Sequence, residues 1–358
     1  MRVLAVGNRY PPAATGGYER IFAGTVAALE AAGHAVRVLT TPELEWYWRD
    51  GAFPARSLRE RVGLERRNAA TLRRVVHDFS PDVVSWWGMG GMSLALIERV
   101  RRAGLPAVGV VGDGWMAYGP EVAPGLPWQR VDLGSGARWL FISEAVRARA
   151  LAEGHVLPRT GLVHPGVDPA AFAFSPAGAW GWRLACVGRV EPRKGIAVAV
   201  EALAALPAEA TLTVDGPVEG GHDAELRVLA DRLGVADRVV FTRTGSAQVD
   251  GAYAAADAVL FPVTWAEPWG LVPLEAMSVG RPVVATGTGG SAEYLDDGVN
   301  ALITPPGDAA VLAAAVRRLA EDDGLRARLV EGGRATAAHY SQAAFEATIV
   351  QALEQAAS

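Results

Sequence analysis

Short apolar runs alternate with longer segments of helical period along most of the chain. Runs of four or five apolar residues closed by turn residues read as buried strands. Apolar residues recurring every three or four positions read as helices. The pattern predicts strands over 3–6, 36–39, 82–86, 107–111, 139–142 and 162–163. Helices fall over 17–30, 56–79 and 93–103, with one more capped by Ser143 and running to about 153. Residues 172–182, rich in Ala, Pro, Gly and Trp, break the pattern and read as a linker. Strands then resume at 184–187, 212–214, 239–241, 259–261 and 283–284, and the end is helical over 308–320, 324–338 and 341–356. Strands alternating with helices build right-handed βαβ units on a parallel sheet. The expected fold class is therefore α/β, with two doubly wound, Rossmann-like domains and a cleft between them. Their expected bounds are 1–171 and 172–340, with 341–358 a helix packing back on the first domain.

Composition narrows this only slightly. The length of 358 residues suits two domains, each with its own core. No apolar run approaches the ~20 residues of a membrane span. The N-terminus reads as a first strand and not as a signal peptide. The one cysteine, Cys186, excludes an internal disulfide and suits a reducing cytoplasm, which is the expected location. Net charge is -5, split as about +4 over the first 170 residues and about -9 over the rest. Lys194 is the sole lysine. Such a bias ordinarily follows genome composition, which makes the one retained lysine worth following.

The densest chemistry lies at Glu267-Pro268-Trp269-Gly270-Leu271-Val272-Pro273-Leu274-Glu275. An apolar strand precedes it, and 271–279 reads as a short helix stopped by Gly280 and Pro282. Glu267 thus sits on a strand-to-helix loop and Glu275 within the helix. In an open α/β sheet, ligands bind at that loop end. The amides of Trp269, Gly270 and Leu271 fall at the helix N-terminus, a seat for phosphate. Carboxylates beside an anion site make sense where they accept hydrogen bonds from hydroxyls, and a sugar phosphate supplies both. Gly188 to Gly195 follows the first strand of the second half. It offers Arg189 as a fork and Lys194 as a point charge, both suited to a diphosphate.

Other features carry two readings each. Gly16-Gly17, with Thr15 before them, either form a tight connection or let backbone approach a phosphate. Gly287-Thr288-Gly289-Gly290 is a second glycine-rich turn of that kind. Asp113, between Gly112 and Gly114 at a strand end, either orients or deprotonates an acceptor hydroxyl or is a turn residue. Trp46, Trp48, Trp86, Trp87, Trp115, Trp128 and Trp139 are divided between core and sugar-stacking surfaces. Seven arginines over 56–74 mark either a solvated helix face or a weak contact with an anionic membrane surface. No Asp-x-Asp clamp, HExxH, G-x-S-x-G or GxGxxG fingerprint is present, so neither a metal nor a dinucleotide cofactor is expected.

Taken in order, these motifs resemble those of the GT-B glycosyltransferases of family 4, the retaining, glycogen-synthase-like group. The likeness spans nearly the whole chain. It covers Gly16-Gly17, Pro165-Gly166-Val167-Asp168, Arg189 with Lys194, Glu267 with Glu275, Gly289-Gly290 with Glu293, and Asp297-Gly298 followed by Pro305-Pro306-Gly307-Asp308. The resemblance implies that Arg189 and Lys194 neutralise the diphosphate leaving group. Glu275 would accept the ribose hydroxyls, and Glu267 would face the donor sugar, with Trp269, Gly270 and Leu271 near sugar and phosphate. Gly17 would close on the diphosphate from the other domain. It further implies front-face transfer with retention, from a nucleotide-diphosphate sugar to a hydroxyl on a small-molecule, sugar or lipid-linked acceptor, without a metal. One departure stands out: many members carry His where this chain has Asp113. The alternatives are a sugar-nucleotide epimerase on a related fold and a non-catalytic nucleotide-sugar-binding subunit. The first needs extra acid–base side chains that the sequence does not show.

Overall fold

The computed structural model describes residues 1–12, 16–41, 43–48, 52–123, 125–127, 130–244 and 249–358. Thr15 and Trp128 lie outside the described residues. The chain divides into two compact units, Met1–His164 with Ala344–Ser358, and Pro165–Ala343.

The first unit runs β1 (Arg2–Val6), α1 (Gly17–Ala31), β2 (Ala35–Leu39), α2 (Leu58–Phe79), β3 (Val83–Trp86), α3 (Ala95–Arg102), β4 (Ala107–Val111), α4 (Trp115–Val122), α5 (Leu133–Gly136), β5 (Arg138–Phe141), α6 (Glu144–Ala152) and β6 (Thr160–Leu162). Its six strands are all parallel, in the order β2-β1-β3-β4-β5-β6. Strand order reverses beside β1, so the turns after β1 and β3 open at a topological switch point. There Asn8 N–H donates to Gly88 O at 3.1 Å.

The second unit runs β7 (Arg183–Val187), α7 (Ile196–Ala204), β8 (Thr211–Asp215), α8 (His222–Leu233), β9 (Val239–Thr242), α9 (Val249–Ala255), β10 (Ala258–Phe261), α10 (Leu271–Val279), β11 (Val283–Ala285), β12 (Leu302–Ile303), α11 (Ala309–Glu321) and α12 (Asp323–His339). Its sheet is parallel too, in the order β12-β11-β10-β7-β8-β9. Here the switch lies between β7 and β10. The turn carrying Arg189 and Lys194 and the loop carrying Glu267 therefore leave adjacent strands at the same sheet end. A continuous core of Leu184, Val200, Leu212, Val214, Leu260, Val284 and Val316 holds the strands against α7 and α11. Each such side chain contributes ~1.5–3 kcal/mol by leaving water.

A last helix, α13 (Gln342–Ala357), begins in the second unit. Its C-terminal part belongs to the first, where His34 and Glu354 lie 3.0 Å apart and Arg138 Nη1 donates to Gln355 Oε1 at 3.1 Å.

Two expectations need correction. The last strand of the first unit is 160–162 and not 162–163, because β6 pairs Thr160, Gly161 and Leu162 with Trp139, Leu140 and Phe141. Residues 172–182 are not a bare linker. Arg281, 2% exposed, donates from Nη1 to Ser175 O at 2.6 Å, and Ser278 Oγ donates to Phe172 O at 2.7 Å. A buried guanidinium must find acceptors, and that backbone supplies them. Of the two readings held open for the tryptophans, Trp86, Trp87, Trp115 and Trp139 take the core one, at most 1% exposed.

Candidate functional site

The Lys194 turn is built by local geometry. Pro192, Arg193 and Lys194 form one 3-10 turn, closed by Gly195 at φ 66°. Gly195 lies directly on the Pro262 carbonyl, with no room for a Cβ. Thr264 N–H donates to Arg193 O at 3.0 Å. The turn after β7 is thereby fastened to the loop after β10, and Lys194 is delivered to Glu267. Lys194 Nζ donates to Glu267 Oε2 at 2.8 Å, and Trp265 Nε1 donates to the same oxygen at 2.8 Å. Both charged side chains are largely enclosed, 17% and 11% exposed.

Arg189 stands at the same rim, with Nη1 3.2 Å from Glu219 Oε1 and Nη2 3.5 Å from Glu191 Oε1. Glu191 is the buried anchor of this cationic turn, and Arg193 donates to its Oε2 at 2.8 Å. Burial alone would raise its carboxyl. The hydrogen bond from Arg193 and the charges of Arg189, Arg193 and Lys194 outweigh that and hold it below the usual carboxylate range.

Glu275 lies in α10 and is 3% exposed. Its Oε2 accepts from Tyr253 Oη at 2.6 Å. Trp269 does not face outward: it is buried, and its Nε1 donates to Pro165 O at 2.8 Å. Gly270 and Leu271 start α10, and no side chain caps that helix.

The second glycine-rich turn approaches protein backbone. Gly289, at φ 62°, leaves no space for a Cβ against Glu267 O, and Gly290 N–H donates to that oxygen at 2.7 Å. Thr288 Oγ1 donates to Trp265 O at 2.6 Å, and Thr286 Oγ1 to Val263 O at 2.8 Å. This turn is a buttress for the loop that carries Glu267.

In the first unit, Gly16 and Gly17 open α1, whose N-cap Gly16 makes no side-chain cap bond. A Cβ on Gly16 would meet Glu19 Oε2 at 2.5 Å, so the helix's own carboxylate sits beside its positive end. Asp113 accepts from Trp115 N–H at 3.0 Å through Oδ1 and from Tyr118 Oη at 3.0 Å through Oδ2. The turn reading thus describes one oxygen, and a tyrosine engages the other. Tyr18 is the residue the sequence reading missed here. It packs on Gly112, accepts from Gly88 N–H at 2.5 Å and donates to Val110 O at 3.3 Å, joining the ends of β3 and β4.

Of the arginines over 56–74, three are engaged within the protein. Arg56 donates to Trp46 O, Arg61 to Gly125 O, and Arg67 pairs with Glu45. Trp46 is also fixed, since its Nε1 donates to Gly90 O at 2.8 Å, Trp48 stacks on it at 6.0 Å, and Arg9 lies 5.1 Å from its ring centroid. A concave surface of about 480 Å³ between α2 and α3, lined by Leu72, Val76, Val100 and Leu105, takes Arg73 from the arginine-rich stretch and none of the glycine-turn, Arg189–Lys194 or Glu267–Glu275 residues.

Two doubly wound parallel units, with cations and carboxylates gathered at the strand ends of the second, define the GT-B class of α/β protein. The family follows from comparison with known sequences. Residues 15–171 match the model of Glycosyltransferase Family 4, and residues 180–336 match that of Glycosyl transferases group 1. The chain belongs to the family 4 glycosyltransferases. A D-inositol 3-phosphate glycosyltransferase of Salinispora arenicola is 40% identical over 210 residues, 51% of this chain and 46% of that one. The chain thus spans about half the length of such relatives. The lipopolysaccharide core biosynthesis glycosyltransferase LpsD of Rhizobium meliloti is 29% identical over 333 residues, 90% of each chain. Among solved structures, Anabaena HepE in complex with UDP is 21% identical, with a TM-score of 0.74 over 99% of this chain and 100% of that one. Sucrose-phosphate synthase of Thermosynechococcus elongatus is 19% identical, with a TM-score of 0.78 over 99% of this chain and 98% of that one. These likenesses establish the fold.

Proposed function

We propose that the protein transfers a sugar, with retention, from a nucleotide-diphosphate sugar to a hydroxyl acceptor. The observation that carries this is the enclosed Lys194–Glu267 pair at the uncapped N-terminus of α10. A cation and open helix amides stabilise a departing diphosphate, and a carboxylate accepts hydrogen bonds from sugar hydroxyls. Lys194 and Arg189 neutralise the diphosphate as the bond to the sugar breaks. Glu275 accepts from the ribose hydroxyls, and Glu267 orients the donor sugar. The acceptor oxygen forms the new bond on the face the diphosphate leaves, and its proton passes to a donor phosphate oxygen. Asp113 is assigned to the acceptor hydroxyl, and the backbone of the Gly16-Gly17 turn to phosphate. This chemistry calls for no metal. The relatives' names point to a small phosphorylated polyol or a saccharide on a lipid as acceptor, and the HepE complex makes UDP the first nucleotide to try.

A panel of UDP-, GDP-, ADP- and dTDP-sugars, read by nucleotide release, tests the reading. Slow hydrolysis of one donor, accelerated by an acceptor, is the expected result. Conversion of a donor to its epimer would sink it, and binding without turnover for every donor and acceptor would favour a non-catalytic subunit.

A further inference from the structure

Tyr294 is buried, yet neither the sequence motifs nor the proposed chemistry uses it. It follows the glycine-rich turn, and its hydroxyl donates to Gly270 O at 2.5 Å. Gly270 is the residue before the first turn of α10 and has φ 86°. In a trans peptide the C=O and the following N–H point in opposite directions within one plane. Anchoring the Gly270 carbonyl on one side therefore aims the Leu271 N–H to the other. That N–H opens the helix, where amides have no partner inside it.

The anchor is itself held rigidly. The Tyr294 ring lies 5.0 Å from Trp269 and 5.9 Å from Tyr340. Asn300 Nδ2 donates to Tyr294 O at 2.7 Å. Burial, with the charges of Glu267 and Glu275, pushes the phenol well above its ordinary range, so it stays a proton donor throughout the working range of pH. With Gly290 N–H on Glu267 O, the turn after β11 grips the catalytic loop at two points, Glu267 and Gly270.

We propose that Tyr294 is a positioning residue that fixes the Gly270–Leu271 peptide so that Leu271 N–H receives the distal phosphate of the donor's diphosphate. The inference rests on the donor-site reading above. It adds a residue that touches no substrate yet sets discrimination between nucleoside diphosphate and monophosphate. A residue that only packed the core would lower stability without changing that ratio.

Calorimetric titration of the purified full chain with UDP and UMP tests it, with the GDP/GMP and ADP/AMP pairs used if the uridine nucleotides do not bind. Wild-type protein is expected to bind the diphosphate better. Tyr294→Phe keeps the ring and should lose about tenfold of that preference, with monophosphate affinity unchanged. An unaltered ratio in Tyr294→Phe overturns the role of Tyr294 while leaving the donor site standing. A wild-type protein that binds no diphosphate better than its monophosphate overturns both. Leu271→Pro removes the N–H itself at a helix position that tolerates proline. It should lose the same preference, and adding Tyr294→Phe should take nothing more; a further tenfold loss would contradict the shared route. Should Tyr294→Phe fail to fold, Leu271→Pro decides alone: retention of the preference overturns the proposal, and its loss supports it.

Discussion

Lys194 and Glu267 are 73 residues apart in sequence, yet their charged atoms meet at 2.8 Å. The meeting is forced by backbone. Gly195 rests on the Pro262 carbonyl, and Thr264 N–H bonds Arg193 O, so the two strand ends are joined before any side chain is considered. In a chain with one lysine, its placement against the one carboxylate of the loop is the central fact of the site.

Lys194→Ala should lower kcat about 100-fold or more, since one charge facing a leaving group contributes several kcal/mol. Lys194→Arg should recover only part of this, because the guanidinium fork does not reproduce a point charge. Initial rates with the donor identified by the panel check both. Wild-type turnover in Lys194→Ala would remove the leaving-group role.

Glu275→Gln keeps the shape of a buried side chain and its acceptor for Tyr253, but removes the charge. Nucleotide affinity should fall about tenfold. Equal Kd values for the variant and the wild type in calorimetry would contradict a ribose contact.

Gly289→Ala should be more damaging to turnover than its size suggests. The added methyl collides with the Glu267 carbonyl and the backbone holds φ 62°, a combination costing about 1–3 kcal/mol. The loop carrying Glu267 must shift to relieve it. A variant with reduced thermal midpoint and intact kcat would show that the buttress serves stability alone.

Glu98, in the first unit, provides a test of pH dependence. The hydrogen bond from Arg101, joined by Arg102 and Asp132 N–H, holds its carboxyl down at about 2 against the opposing effect of burial. The folded value lies below the unfolded one of about 4.3, so the native state binds fewer protons between them. The stabilisation is complete above about pH 5 and fades as pH falls toward 2. It amounts to at most ~3 kcal/mol, less after solvent screening of the arginines. Glu98→Gln should flatten the fall in urea midpoint between pH 5 and pH 3. A slope parallel to wild type would exclude Glu98 as a contributor.

The fold was legible because parallel strands buried on both faces are written as unbroken apolar runs, such as Ala107–Val111 and Ala258–Phe261. The start and stop of α10 were legible because Gly270 and Gly280 bracket it. Tyr294, Tyr253 and Trp265 were not. Their importance comes from one hydroxyl or indole N–H each, reaching Gly270, Glu275 or Glu267 from another segment or across a loop, and no periodicity records such a meeting. The strand-end tryptophans stayed open between core and rim for a related reason. The sequence places them at a rim, but Trp87 stacks on Phe22 at 4.6 Å and Trp139 donates to Leu133 O, so their rings fill the interior. The glycine-rich turn at 287–290 was recognisable as a close approach, though the sequence does not say that the partner is Glu267.

Arginine in place of lysine everywhere else makes Lys194 the one side-chain amine of this sequence. Reductive 13C-methylation would therefore write one side-chain resonance, at the site. Its chemical shift would follow the Glu267 contact directly during nucleotide titration, in a protein whose one lysine lies where the diphosphate is expected to leave.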